Sequence, residues 1–189
     1  MQLPIEHLPE DLWVFGYGSL IWRPDFDYLE RAPARLIGAH RALCVFSHVH
    51  RGTPERPGLV LGLDLGGACR GVAYRVAAKK RADTIAYLRG REQVTSVYRE
   101  SMRSVTLLGE PERRVDALVY MIDRGHVQYA GRLDLATQLR LVRQGHGQSG
   151  ANPEYVLSTV HALESLGLRD PALHRLAEKL KGTHSGTAA

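Results

Sequence analysis

Apolar residues in the first two-thirds of the chain fall in short runs or at alternate positions, and in the last third they recur every third or fourth residue. That change of period predicts strands followed by helices. Residues 12–15 form an apolar strand running straight into the turn Gly16-Tyr17-Gly18-Ser19. A second strand is expected over 42–48, followed by a Gly- and Pro-rich loop over 51–58. Residues 59–64 and 71–76 read as two strands of a hairpin around Gly66-Gly67. Ala82, Ile85 and Leu88, spaced by three, mark an amphipathic helix over 79–91, and strands resume over 98–108 and 115–122 with Gly109 and Pro111 between them. Leu135, Leu139 and Val142 mark the next helix. Asn152-Pro153-Glu154 supplies a cap, a first-turn proline and a carboxylate for another, with Val156, Val160 and Leu163 as its apolar face and Gly167 as its stop. Asp170-Pro171 repeats the start signal ahead of Leu173, Leu176 and Leu180.

No repeat or low-complexity linker divides these elements. The reading is a single α+β domain over 1–181, a mixed β-barrel or curved sheet with packed helices, and a small, polar, disordered tail over 182–189. A length of 189 residues suits one sizeable domain. With 44% apolar and 24% charged residues, the composition excludes a disordered chain.

Charge adds little. Lys and Arg number 25 against 20 for Asp and Glu, an excess of +5 spread along the chain, so it names no partner. The longest charge-free stretch, 12–22, is too short to cross a bilayer and is broken by glycines. Glu6, Glu10 and Asp11 stand where a secretory signal would be basic and then apolar. Cys44 and Cys69 lie in apolar, strand-like surroundings and read as buried thiols, which places the protein in the cytoplasm. His48 and His50 share a strand face, but no third ligand joins them at metal-binding spacing, so neither a metal nor a cofactor is expected.

The glycine turn carries the most information. Alternating glycines after a strand let the backbone approach a ligand and aim several N–H groups at a carboxylate or an oxyanion. The third glycine of a dinucleotide fingerprint, the Lys of a phosphate loop and the G-x-S-x-G elbow are all missing. On the pattern alone, a tight strand exit without a ligand also stands.

The string Phe15-Gly16-Tyr17-Gly18-Ser19-Leu20-Ile21-Trp22, followed by Arg23-Pro24-Asp25-Phe26, resembles the signature of the ChaC-like γ-glutamylcyclotransferases. His50-Arg51-Gly52 with Pro57-Gly58, Gly71-Val72-Ala73-Tyr74-Arg75, Arg91-Glu92, Ala117-Leu118-Val119-Tyr120, Tyr129-Ala130-Gly131 and Asn152-Pro153-Glu154-Tyr155 follow in the family's order. The resemblance covers roughly 13–168 and implies a mixed α/β barrel that converts glutathione to 5-oxoproline and cysteinylglycine without metal or cofactor. It implies that the segment Val14, Phe15, Gly16, Tyr17, Gly18, Ser19 and Leu20 holds the γ-glutamyl group and that Glu92 is the catalytic acid/base. By the same resemblance Arg51 is a partner for a substrate carboxylate and Tyr129 lines the pocket. One departure stands out: where the family has Gly-Pro-x-Gly, this chain has Gly145-His146-Gly147-Gln148-Ser149-Gly150, and the lost proline predicts a more mobile loop.

The chemistry fits that assignment. An α-amine with a pKa near 8 must lose its proton to attack its own γ-carbonyl, and the leaving amine must gain one. One carboxylate beside both nitrogens can carry that proton, and turn N–H groups can meet the oxyanion. Taken by itself, Glu92 reads as a solvated side chain paired with Arg89 or Arg91, and Glu100 as an exposed strand charge. Two other functions are carried forward. One is a cyclotransferase for other γ-glutamyl amides or amines. The other is a basic barrel binding nucleic acid through Arg99, Arg103, Arg113 and Arg114, for which 7% aromatic residues is poor material. The reading taken is a small-molecule enzyme with neither a nucleic-acid nor a membrane partner.

Overall fold

A computed structural model of the chain describes residues 4–92 and 96–182. Strand β1 (Leu12–Gly16) is buried on both faces, which is why it reads as a continuous apolar run. It pairs antiparallel with β3 (Gly58–Val76) and parallel with β5 (Arg113–Ile122). With β2 (Glu30–Ser47) and β4 (Tyr98–Leu107) these strands close a barrel in the order β1-β3-β2-β4-β5. Helices α1 (Arg81–Glu92), α2 (Leu135–Gln144), α3 (Asn152–Ser165) and α4 (Pro171–Lys181) complete the expected α+β fold, with a short ribbon of β6 (His146–Gly147) and β7 (Gly150–Ala151).

Two strands differ from the expectation. β2 begins at Glu30, twelve residues before the expected start at 42, because Pro33 and the basic residues Arg31, Arg35 and His40 mask the inward alternation of Ala34 and Leu36. β3 is one strand, with no hairpin. Gly66 and Gly67 take left-handed φ of 93° and 73° within the continuous strand rather than reversing it. Beside them, His40 Nδ1 of β2 lies 2.9 Å from the Gly66 carbonyl.

Residues 4–41 with 63–123 form one compact unit, and residues 42–62 with 124–182 form another. In the first, Val14, Val76, Ile85, Leu88, Leu118 and Tyr120 share a core. The buried face of α1 is shifted from the expected one. Ala82 is exposed, while Arg81 and Thr84 join Ile85 and Leu88 inside, Arg81 donating to the Ile5 and Glu10 carbonyls.

In the second unit the apolar faces of α3 and α4 fall as expected, with Val156, Val160 and Leu163 and Leu173, Leu176 and Leu180 buried. On α2, Leu141 is buried beside Val142, while Leu135 and Leu139 are only half-buried. Asn152 does not cap α3. Its side chain is fully buried and turned to β3, with Nδ2 donating to the Leu59 carbonyl and Oδ1 accepting from the Leu59 N–H, both at 2.7 Å. Gly167 follows α3 with φ 67°, and Asp170 caps α4 by accepting from the Leu173 N–H at 3.1 Å. The Asp170→Ala protein should lose about 1 kcal/mol in urea unfolding; an unchanged midpoint would remove the cap from the account. The expected tail, apart from Gly182, lies outside the described residues.

Candidate active site

The turn after β1 is fastened from several sides of the first unit. Residues Ser19–Ile21 form a short 3-10 helix. Tyr74 Oη donates to the Leu20 and Ile21 carbonyls at 2.8 and 3.2 Å, and Arg41 Nε donates to the Tyr17 carbonyl at 2.5 Å. Gly71 of β3 makes the close approach possible, since a Cβ there would lie 2.3 Å from the Gly16 carbonyl oxygen. No side chain caps the 3-10 helix, so its first N–H groups are left for water or a ligand. Val14, Phe15 and Leu20 are core side chains and Tyr17 is buried, so any contact that Val14, Phe15 or Leu20 makes with a ligand comes from the main chain.

The C-terminal end of α1 reaches this turn through Arg91. Its Nη2 donates to Ser19 Oγ at 2.9 Å, and its Nη1 donates to the Arg23 carbonyl at 2.6 Å and to Tyr87 Oη at 2.9 Å. Its Nε lies 3.3 Å from Glu92 Oε1. Ser19 and Glu92 therefore share one guanidinium. The Glu92 side chain is only 16% exposed. Burial pushes its carboxyl above the ordinary carboxylate range, and the Arg91 charge pulls partly the other way.

On the adjacent strands β4 and β5, Glu100 is the register partner of Tyr120. Glu100 is not an exposed strand charge. Its side chain is 18% exposed, it accepts from Arg89 Nε at 2.7 Å and Nη2 at 3.1 Å, and Tyr120 Oη donates to it at 3.3 Å. Burial, then the charges of Glu100 and Glu92, push the Tyr120 phenol well above its usual range, so it is a neutral hydroxyl near the Glu92 carboxylate. The sequence reading missed Tyr120 and the contacts of Arg91. Nothing in a linear string announces that residues 100 and 120 are register partners.

Arg51 and Tyr129 belong to the second unit. Arg51 is buried, with Nη1 donating to the Ala151 carbonyl at 3.0 Å and its guanidinium 5.6 Å from the centre of the Tyr155 ring. Tyr129 is half-buried and bridges to Val45. The proline-less loop is stitched down: Gln148 and Ser149 donate their N–H groups to the Val49 and His50 carbonyls at 2.8 and 2.9 Å. A Cβ on Gly147 would come within 2.3 Å of the Val49 oxygen, which explains the glycine without its proline neighbour.

The family model described as ChaC-like protein matches residues 12–183. The chain belongs to the ChaC-like family. The match runs past residue 168, where the sequence resemblance was drawn, and takes in α4. The chain is 33% identical over 170 residues to a glutathione-specific γ-glutamylcyclotransferase of Escherichia coli (strain K12), covering 90% of this chain and 73% of that protein. It is 34% identical over 166 residues to glutathione-specific γ-glutamylcyclotransferase 1 of Homo sapiens, covering 84% and 72%. A solved structure of a γ-glutamylcyclotransferase specific to glutathione from yeast superposes with a TM-score of 0.83 at 25% identity, covering 92% of this chain and 96% of that one.

The other candidate chemistries in this ChaC-like chain have local partners. Arg99 pairs with Asp123 and Arg113 with Glu30, each at 2.5 Å, which neutralises two of the four arginines considered for nucleic acid. His50 Nδ1 lies 2.9 Å from Ser149 Oγ, and the His48 ring stacks on Phe46. Among the described residues no group of three or more His, Cys, Asp or Glu is placed to hold a metal ion. Among them, too, no helix is long and apolar enough to cross a membrane.

Proposed function

We propose that this chain is a glutathione-specific γ-glutamylcyclotransferase with Glu92 as its acid/base and the turn 14–20 as its γ-glutamyl subsite. The observation that carries the reading is the shared Arg91 guanidinium, which sets a buried carboxylate beside a glycine turn with uncapped N–H groups. The activity named for the bacterial and human relatives agrees with it.

In this reading the substrate supplies its own nucleophile. Glu92 takes a proton from the α-ammonium, and the freed amine attacks the γ-carbonyl carbon to close a five-membered ring. The oxyanion that forms faces the turn's N–H groups. Collapse breaks the amide bond to cysteine as Glu92 gives its proton to the departing nitrogen. Glu92 then takes the second proton from the ring nitrogen and passes it to the departing amine, leaving a neutral lactam and an ammonium. One C–N bond forms, one breaks, and no water is consumed. Holding the amine against the carbonyl supplies effective concentration, so an enzyme nucleophile is not needed. A carboxyl held above its ordinary range suits this work, because proton transfer is most effective when the pKa of the group approaches the working pH.

Arg51 is the proposed partner for a substrate carboxylate and Tyr129 a pocket residue. The two unbridged cysteines fit a reducing cytoplasm, and the substrate is a small molecule rather than a nucleic acid or a membrane. The test is incubation with glutathione, expecting 5-oxoproline and cysteinylglycine in equal amounts. A preference for γ-glutamyl dipeptides over glutathione would shift the assignment to other γ-glutamyl amides. Failure to cleave any γ-glutamyl amide would end it.

A further inference from the structure

Arg91 is 18% exposed, and its contacts divide into an anchor and a working end. The anchor is Nη1, held by Tyr87 Oη at 2.9 Å one helical turn back and by the Arg23 carbonyl at 2.6 Å. Asp25, beyond that loop, has φ 56° and brings Oδ2 to 3.7 Å from the same nitrogen. The working end is Nη2 on Ser19 Oγ at 2.9 Å and Nε at 3.3 Å from Glu92 Oε1.

The fork has a consequence at each tip. A hydroxyl oxygen that already accepts from a cation points its own hydrogen elsewhere, so Ser19 becomes a directed donor beside the N–H groups of its turn. A carboxylate held through Oε1 has Oε2 left for a proton. A lysine ammonium, a point charge without a planar fork, cannot set both tips in one geometry.

We propose that Arg91 is the positioning residue of this site, turning the Ser19 hydroxyl toward the developing oxyanion and holding Glu92 so that its second oxygen meets the substrate amine. The proposal rests on the cyclotransferase reading above. The Arg91 charge also opposes the effect of burial on Glu92, which ties the residue to the pH dependence of the reaction.

The test uses the full chain with Arg91→Met, Arg91→Lys, Ser19→Ala and the Ser19→Ala/Arg91→Met double variant, each checked for cooperative unfolding. Arg91→Met should lower kcat about 100-fold, the effect of losing an oxyanion donor. It should also move the acid limb of kcat/KM up by about one pH unit or more. Arg91→Lys should keep the limb near its wild-type position while kcat stays low. Ser19→Ala should slow the wild type markedly and the Arg91→Met protein hardly at all. Fully multiplicative losses, or an acid limb unmoved in Arg91→Met, would overturn the proposal. If Arg91→Met fails to fold, Arg91→Lys with and without Ser19→Ala carries the same coupling test. Carboxyl-carbon NMR of Glu92 in wild type and Arg91→Lys or Arg91→Met reads the Arg91–Glu92 link without turnover. An inactive wild type would therefore count against the cyclotransferase reading, while an Arg91→Met titration matching wild type would count against Arg91.

Discussion

The Glu92→Gln protein should fold normally and release 5-oxoproline from glutathione about 100- to 10,000-fold more slowly than wild type, the range a positioned acid/base contributes. Gln keeps the shape of the side chain and removes only its ability to carry a proton. Arg91 is not orphaned, because Ser19 Oγ, Tyr87 Oη and the Arg23 carbonyl still accept from it. The same substitution should change stability in the opposite sense. Burial raises the folded-state pKa of Glu92 above its ordinary 4.5, so its favourable contribution is complete below that value and is lost as pH rises through the folded pKa. A Gln, neutral throughout, escapes that loss. At pH 7 the variant should be at least as stable as wild type, and the gap should close as the pH falls toward 4.5. The wild-type rate should show an acid limb above the ordinary carboxylate range, and the variant should lack it. A variant with wild-type turnover would remove Glu92 from the mechanism, and one markedly less stable at pH 7 would contradict the account of its burial.

Gly71→Ala should damage both the first unit and the glycine turn. The added Cβ would sit 2.3 Å from the Gly16 carbonyl oxygen and 3.1 Å from Phe15 Cζ, and a backbone oxygen cannot step aside as a side-chain tip can. Overpacking of this kind costs roughly 1–3 kcal/mol. Here the atom displaced belongs to the glycine turn, so activity should fall with stability. Gly90→Ala is the matched control. A Cβ there meets nothing within 4 Å, and it lies within α1, so the substitution should stabilise the protein by roughly 0.5–1 kcal/mol with activity intact. Urea unfolding and the glutathione assay on both proteins separate a steric clash from a general intolerance of alanine. If Gly71→Ala matched wild type in both, the close approach of β3 to the turn would not matter.

Where the sequence reading failed, the deciding information was a distant partner. Gly66-Gly67 looked like a hairpin because two glycines suit a reversing turn equally well. In the fold they sit inside one continuous strand, with His40 of the neighbouring strand against the Gly66 carbonyl. Asn152 looked like a cap because Asn-Pro-Glu is a helix start, yet the Leu59 backbone, 93 residues away, takes both ends of its amide. Glu100 looked solvated because Arg89 and Tyr120 reach it only once α1 and β5 are in place.

By itself, the sequence determined the strand-to-helix order, the helical faces of α3 and α4 and the glycine turn, and its resemblance to the ChaC-like family made Glu92 the candidate. All of these rest on local signals, hydrophobic period, capping chemistry and a motif, which neighbouring residues carry together. Tertiary structure alone decided that β3 is continuous, that Gly71 admits the turn and that one arginine joins Ser19 to Glu92. Those depend on which strands lie side by side and on what each side chain meets there, and chain closure brings such groups together with no trace in their spacing.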